Sequence, residues 1–359
     1  MMVRLKDICD VDWGDTNLTK QSYVENGKYL GVSAGGCDGR MEYYDFNAYV
    51  PVISAIGANC GKMFLPKEPF VAIKNTITLN PHTNVLGKYI YYALIDNHIP
   101  RRGGGQPFIS KSDTEEYLIN CPPFVEQQKI VEKFDNIENL ISLRKQQLSK
   151  LDELVKSRFI EMLSNKDFPK TALIDLIVEG AGLSYGIVQP GDDGTGEMGV
   201  LRPVDIVDGN ISIAGIKYID RSIGDGYRKT ELTGDELIIT VRGTTGITAL
   251  TDARFVGMNV TRGIAVIRYD RRKINPVYLN AYLKTEDSQR YIQEHTRGAT
   301  LQQINLSDLR MQNIVVPPME LQNQMAAFVK QIDKSKFEIQ KSLEKLETLK
   351  KALMQKYFG

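Results

Sequence analysis

Two stretches of the chain, Phe124–Leu163 and Met319–Phe358, carry a pattern unlike anything around them: neither contains Gly or Pro, and charged residues alternate with apolar ones. In the first, Ile130, Phe134, Ile137, Ile141, Leu148, Leu151, Val155 and Met162 recur mostly at steps of three and four. In the second, Met325, Val329, Ile332, Ile339, Leu343, Leu346, Leu353 and Tyr357 do the same. That period predicts two long amphipathic helices with a coiled-coil-like seam. A proline pair stands ahead of each, Pro122-Pro123 and Pro317-Pro318. Prolines suit a helix start, where the first amides have no acceptor within the helix and a missing N–H costs nothing. At 1.5 Å per residue, about 40 residues make a rod of roughly 60 Å. A stripe that long overhangs one domain, so the two helices are expected to partner each other.

The remaining regions, 1–120 and 166–315, alternate strand-like runs with Gly-rich turns. Runs rich in β-branched residues at 48–53, 236–241 and 263–267 predict strands. Short helices are expected at 87–95 and 276–284.

The halves repeat one another. Pro122 and Pro317 are 195 residues apart, and the same offset carries Gln127 onto Gln322 and Leu148, Leu151 and Leu154 onto Leu343, Leu346 and Leu349. It also carries Ile109, Ser112 and Asp113 onto Ile304, Ser307 and Asp308, and Asn80-Pro81 onto Asn275-Pro276. The strand-then-glycine segments 53–57 and 239–243 look like one element in two copies. The expected organisation is therefore a recognition-type domain at 1–120, a spacer helix at 121–165, a second domain at 166–315 and a second helix at 316–359. The fold class is α+β: two α/β domains joined by two long helices that form an antiparallel coiled coil, with pseudo-twofold internal symmetry.

Composition narrows the function. With 45 Lys and Arg against 44 Asp and Glu the net charge is +1, so the chain is not a strongly basic nucleic-acid binder. No apolar run approaches the roughly 20 residues of a membrane span, and the first residues do not read as a signal peptide. Cys9, Cys37, Cys60 and Cys121 lack Cys-x-x-Cys spacing or a neighbouring His cluster, and read as reduced thiols of a cytoplasmic protein. Asn120-Cys121-Pro122-Pro123-Phe124 resembles an amino-methyltransferase signature, but Cys121 occupies the position that must hold the target amino group. The glycines of 194–199 satisfy a dinucleotide-loop pattern, yet Pro203 interrupts the helix such a loop requires. His82, His98 and His295 are scattered, so no metal site is expected.

Basic residues are distributed unevenly. Twelve of the chain's 18 arginines lie between Arg202 and Arg310, whereas the helices prefer Lys. Arg presents a planar fork that grips phosphate and reads guanine edges. Gly-rich and polar clusters accompany these residues. Candidate DNA-binding residues are Lys20, Ser33, Arg40, Arg101, Arg102 and Gln106 in the first domain, and Tyr185, Arg202, Arg228, Lys229, Arg242, Arg297, Gln302 and Gln303 in the second. Candidate spacer and partner-docking residues are Pro122, Pro123, Gln127, Ile130, Ile137, Leu148 and Leu151, with Pro317, Pro318, Gln322, Ile332, Leu343 and Leu346.

The paired junctions, residues 121–130 and 316–322, the helices behind them, and the openings 5–9 and 173–177 together resemble the DNA specificity subunit of type I restriction-modification systems. The second junction has Met319-Glu320-Leu321 where the first has Phe124-Val125-Glu126, which shifts the acidic residue by one. The resemblance implies a non-catalytic, cytoplasmic subunit with no cofactor of its own that reads a bipartite, asymmetric site on double-stranded DNA. It implies docking of two modification subunits, which carry S-adenosylmethionine, and of restriction subunits that use ATP and Mg2+, with no membrane partner. Two other classes stay open: a DNA adenine methyltransferase-like enzyme and a coiled-coil scaffold.

Overall fold

The computed structural model describes residues 1–96, 98–164, 167–191, 196–207, 209–299 and 301–359. The chain divides into two compact units, Met1–Gln146 with Gln340–Gly359, and Gln147–Ile339. Each holds one α/β domain and a portion of both long helices.

In the first unit a four-stranded antiparallel sheet has the order Cys9–Trp13, Thr76–Pro81, Val52–Ser54, Met63–Phe64. The interior strand is buried from Thr76 to Leu79. Its hydroxyls meet main-chain acceptors, Thr76 on Ile73 O at 2.6 Å and Thr78 on Asp12 O at 3.2 Å, which removes the cost of burying them. A second sheet orders Gly36–Met41, Tyr29–Ser33 and Phe70–Ala72, the last pair parallel. Met2–Arg4 pairs with Leu118–Asn120 and ties the domain's two ends together.

The second unit rebuilds this plan. Its four-stranded sheet orders Ser184–Tyr185, Ile264–Ile267, Leu237–Thr240, Thr248–Leu250. A three-stranded sheet orders Lys217–Ile219, Met198–Leu201 and Asn259–Val260, the last pair again parallel. Lys170–Ala172 pairs with Asn313–Val315.

Individual hydrogen bonds repeat as well. Ala55 N donates to Asn75 O at 2.9 Å, and Val241 N to Gly263 O at 2.8 Å. Ile109 N reaches Ala55 O at 2.8 Å, and Ile304 N reaches Val241 O at 3.0 Å. Gly57 N bonds Pro107 O at 2.9 Å, matched by Gly243 N and Gln302 O at 2.8 Å. Such bonds depend on backbone register, so their recurrence with different side chains is the signature of one architecture in two copies. A close approach recurs too. A Cβ on Gly14 would lie 2.2 Å from Thr76 Oγ1 and 2.4 Å from Ile73 O, and one on Gly186 would lie 1.9 Å from Val260 O.

The helices run over Phe124–Leu163 and Met319–Phe358. In the first unit Lys133 meets Tyr357, Glu138 meets Lys350 and Lys145 meets Glu347, so the segments there are antiparallel. Their apolar faces close on the domain: Ile130, Val131 and Phe134 cluster with Tyr89 and Tyr92, against Leu353, Met354, Tyr357 and Phe358. In the second unit Lys336 pairs with Asp152 at 2.5 Å, and Phe159, Met162, Met325 and Val329 join a core with Tyr278 and Leu279. The stripes therefore serve both ends, packing on a domain as well as on each other. Ile137, Ile332 and Leu343 are buried and Leu148, Leu151 and Leu346 half-buried, whereas Leu154 and Leu349 are exposed in both copies.

Two expectations need correction. Asn80-Pro81 is not the counterpart of Asn275-Pro276. It ends a strand, whereas Asn275 caps and Pro276 opens the helix Pro276–Tyr282, whose match is Gly87–Leu94. Residues inserted between elements broke the constant offset. The strand expected at 48–53 begins only at Val52, because Tyr49 sits at a φ of 65°, in the left-handed region. The glycine-rich segment 194–199 falls partly outside the described residues, and the strand Met198–Leu201 emerges from it.

Candidate nucleic-acid interface

At one end of each four-stranded sheet the ladder runs on into loops, and the register lines up residues that are far apart in sequence. In the second unit Thr240 pairs with Ile264 and Val241 N donates to Gly263 O, and the strand then gives way to a turn, closed by Ile264 N on Thr261 O at 2.9 Å, that carries Arg262 near Arg242. On its other side Arg242 bridges to Gln303, and Gln303 pairs with Arg297 in the ribbon Thr296–Arg297/Gln303–Ile304. The row reads Arg242, Gln303, Arg297, with Arg262 on the turn beside it. In the first unit the same steps give Ile56, Phe108 and Arg102, with Ile56 bridged to Phe108 and Phe108 to Arg102, and with Lys74 on the adjoining turn where Asn75 takes a φ of 67°. Residues opposite one another in a ladder present their side chains on one face. Beside each row an exposed aromatic ends the neighbouring strand, Trp13 in the first unit and Tyr185 in the second.

Of the candidates in the first domain, Lys20 and Ser33 converge on Asp38 at 2.6 and 2.8 Å, joined by Tyr23 OH at 2.9 Å. Partial burial raises the Asp38 carboxyl, but hydrogen bonds from Lys20, Ser33 and Tyr23 outweigh it and hold it below the usual aspartate range. Arg40 pairs with Glu68 at 3.0 Å. Arg101, Arg102 and Gln106 lie on the exposed turn 101–106; Arg101 covers Gly61, and Arg102 pairs with Asp113 at 2.6 Å. The last contact recurs in the second domain between Arg297 and Asp308 at 3.6 Å.

In the second domain, Arg202 binds the buried Asp205 through two nitrogens, at 3.1 and 2.9 Å, which makes it structural. Arg228 and Lys229 line an open cleft of about 580 Å³ with Arg221 and Arg268. Arg242, Gln303 and Arg297 are brought together in the row, with Gln302 next along the chain. Thr300, within the same loop, lies outside the described residues.

Arginine abundance was a coarse signal. Nine of the twelve arginines between 202 and 310 have a carboxylate within 4 Å. Arg310 donates to Leu183 O at 2.7 Å. Among the described residues, only Arg242 and Arg262 of these twelve have no side-chain partner. Sequence reasoning passed over Arg262, Lys74, Ile56, Phe108 and Trp13. The signal that finds them is position: Trp13 ends a strand, Ile56, Lys74 and Arg262 lie two residues outside one, and Phe108 is bridged to Ile56.

The junction glutamines join helix to domain. Gln127 is 1% exposed; its amide oxygen accepts Leu86 N at 3.0 Å and its NH2 donates to Pro122 O at 2.9 Å. Gln322, equally buried, accepts Asn275 N at 2.8 Å and donates to Pro317 O at 2.8 Å. Each side chain thus satisfies an orphan amide at the start of a domain helix and a carbonyl of the proline pair. Tyr89 OH on Asn120 O and Tyr278 OH on Val315 O, at 2.6 and 2.8 Å, brace the same corners.

Among the described residues no group of three or more His, Cys, Asp and Glu could hold a metal ion, and no helix is long and apolar enough to cross a membrane. The four cysteines are free thiols.

Known proteins resemble this chain over much of its length. The model of the type I restriction modification DNA specificity domain matches residues 1–153 and 204–351. The chain is 22% identical over 282 residues to the EcoBI specificity subunit of Escherichia coli, covering 70% of this chain and 59% of that one. It is 22% identical over 311 residues to a putative MjaX specificity subunit of Methanocaldococcus jannaschii, covering 78% and 69%. Among solved structures, the S subunit of a type I system from M. genitalium superposes with a TM-score of 0.64 at 17% identity, covering 100% of this chain and 96% of that one.

Proposed function

Since the chain belongs to the type I restriction modification DNA specificity domain family, we propose that it is the sequence-reading subunit of such a system. Each α/β domain reads one part of a bipartite, asymmetric site on double-stranded DNA, and the helices set the gap and dock partner subunits. The observation that carries this reading is one backbone frame built twice and ended by unlike rows, Ile56–Phe108–Arg102 and Arg242–Gln303–Arg297. Two copies of one reader with different side chains suit a target whose halves differ. A net charge of +1 suits a reader that leaves much of the phosphate grip to partners.

In this reading the chain has no catalytic centre and binds no cofactor. S-adenosylmethionine belongs to two modification subunits, and ATP and Mg2+ to restriction subunits, all acting in the cytoplasm. The junctions around Gln127 and Gln322 hold each domain on its helix, so that a base read by a domain fixes where a docked modification subunit meets the DNA.

The test compares adenine methylation across a host genome with and without this gene, its modification partner present. One gapped motif that disappears with the gene is expected; an unchanged set of methylated adenines refutes the assignment. Deleting one heptad from either helix should change the gap or abolish assembly. A methyltransferase-like enzyme would bind S-adenosylmethionine as the isolated chain, and titration calorimetry on that chain should show no heat. A pure scaffold would show no sequence preference at all.

A further inference from the structure

The second row presents a physical problem that its surroundings leave unsolved. The bond from Val241 N to Gly263 O at 2.8 Å brings the main chain at Arg242 close to the turn that carries Arg262. Nine of the ten other arginines in this domain are balanced by a carboxylate, whereas among the described residues these two have no side-chain partner. Arg262 is exposed and Arg242 half-buried, so the two present different amounts of their fork to solvent. Gln303, half-buried, continues the row, and Arg297 ends it exposed beside Asp308.

We infer that this sheet end is the base-reading edge of the second domain and that it takes guanine-containing duplex DNA; the inference rests on the DNA-reading function proposed above. Positive charge without a local counter-ion is left to bind an external anionic surface. An arginine fork fits the O6 and N7 acceptors of guanine bidentately, and a glutamine amide fits the N7 and N6 of adenine. Three bridged positions on strands about 4.8 Å apart span roughly 10 Å, comparable with a major groove about 12 Å wide. Beside them the exposed Tyr185 offers a face to a sugar or phosphate. The matching edge of the first domain carries Ile56 and Phe108 where the second carries Arg242 and Gln303. Apolar side chains at a groove recognise the thymine methyl group and bear no charge. The guanine contacts belong to the half-site of the second domain, and the stronger dependence on salt belongs there too.

The experiment uses the full chain in complex with its modification partner, methylating a randomised duplex library that is then sequenced. Arg242→Ala, Arg262→Ala and, as a control of equal charge, Arg254→Ala are compared with the parent. Arg254 is exposed and already paired with Asp252 at 2.7 Å. Thermal melting of each variant establishes that it is folded, and the exposed Arg262 keeps the test open if Arg242→Ala fails to fold. The expected result is a loss of preference at guanine positions in one half of the motif only, about ten- to a hundredfold per bidentate contact. The other half stays as sharp, and Arg254→Ala changes neither. If both halves stay sharp in the Arg242 and Arg262 variants, the edge is wrongly assigned while the DNA-reading function stands. Even weakening over all sequences, with a shallower salt dependence, makes these arginines phosphate contacts and also overturns the inference. A parent complex with no sequence preference defeats the DNA-reading function itself.

Discussion

The two sheet ends share their backbone and little else. Ala55, Gly57 and Ile109 make the hydrogen bonds that Val241, Gly243 and Ile304 make, yet the neighbouring side chains are Ile56 and Phe108 in one unit and Arg242 and Gln303 in the other. A ladder bond uses only main-chain groups, so it tolerates any side chain that the local packing tolerates. At the end of the sheet, where the rows are half-buried or exposed, packing imposes little. The frame is therefore held by physics common to both units, and the rows are left free to differ.

Four experiments test how deep that likeness runs, from the largest effect to the smallest. Gly14→Ala and Gly186→Ala should each destabilise their own unit by about 3 kcal/mol, because the added methyl meets atoms of the adjoining chain that cannot move alone. Hydrogen exchange resolved by peptide would locate the loss. If one unit tolerates its alanine, the frames are less alike than their hydrogen bonds. Next come Gln127→Leu and Gln322→Leu, which strand a buried amide and a carbonyl at each junction. A loss of about 2 kcal/mol apiece in denaturant melts is expected, and unequal losses would break the equivalence of the junctions.

A difference between the units should appear with pH. Glu236 is fully buried and accepts hydrogen bonds from Thr233, Gly234, Asp235 and Thr251, with Arg268 at 3.4 Å; the first unit has the buried Val50 at the matching place. Burial raises the Glu236 carboxyl, but the hydrogen bonds from Thr233 and Thr251 and the Arg268 charge outweigh it and lower it from 4.5. A carboxyl depressed by folding stabilises above its unfolded value and loses that contribution as pH falls through the folded one. The second unit should therefore weaken ahead of the first below about pH 4.5, and Glu236→Gln should flatten that dependence. Hydrogen exchange at pH 5.5 and 3.5 decides it; equal weakening of both units refutes the asymmetry. The smallest effect is expected at the helix contacts. Lys336→Ala and Lys350→Ala each remove one partly exposed ion pair, and melting should register under about 1 kcal/mol.

Sequence patterns revealed some features of the fold and missed others. Both long helices could be read to within a residue, because 40 positions without Gly or Pro leave the 3.6-residue period uninterrupted. The junction glutamines stood out because they repeat at one offset, though not for what they bond. Counting arginines located a region but not a site, since the count cannot tell Arg202, locked on Asp205, from Arg242, which among the described residues has no side-chain partner. Asn80-Pro81 misled because a fixed offset ignores the residues inserted between elements.

The sequence by itself determined the duplication, the two helices, their proline-marked starts and the α/β character of what lies between, since all of these are local or periodic properties. Only the tertiary structure decided which residues share an edge. Ile56 with Phe108, and Arg242 with Gln303, become neighbours through strand bridges, a long-range pairing that no short window of sequence contains. Charge behaves in the same way: an arginine's availability depends on whether folding brings it a carboxylate, and the closing of the chain settles that, one residue at a time.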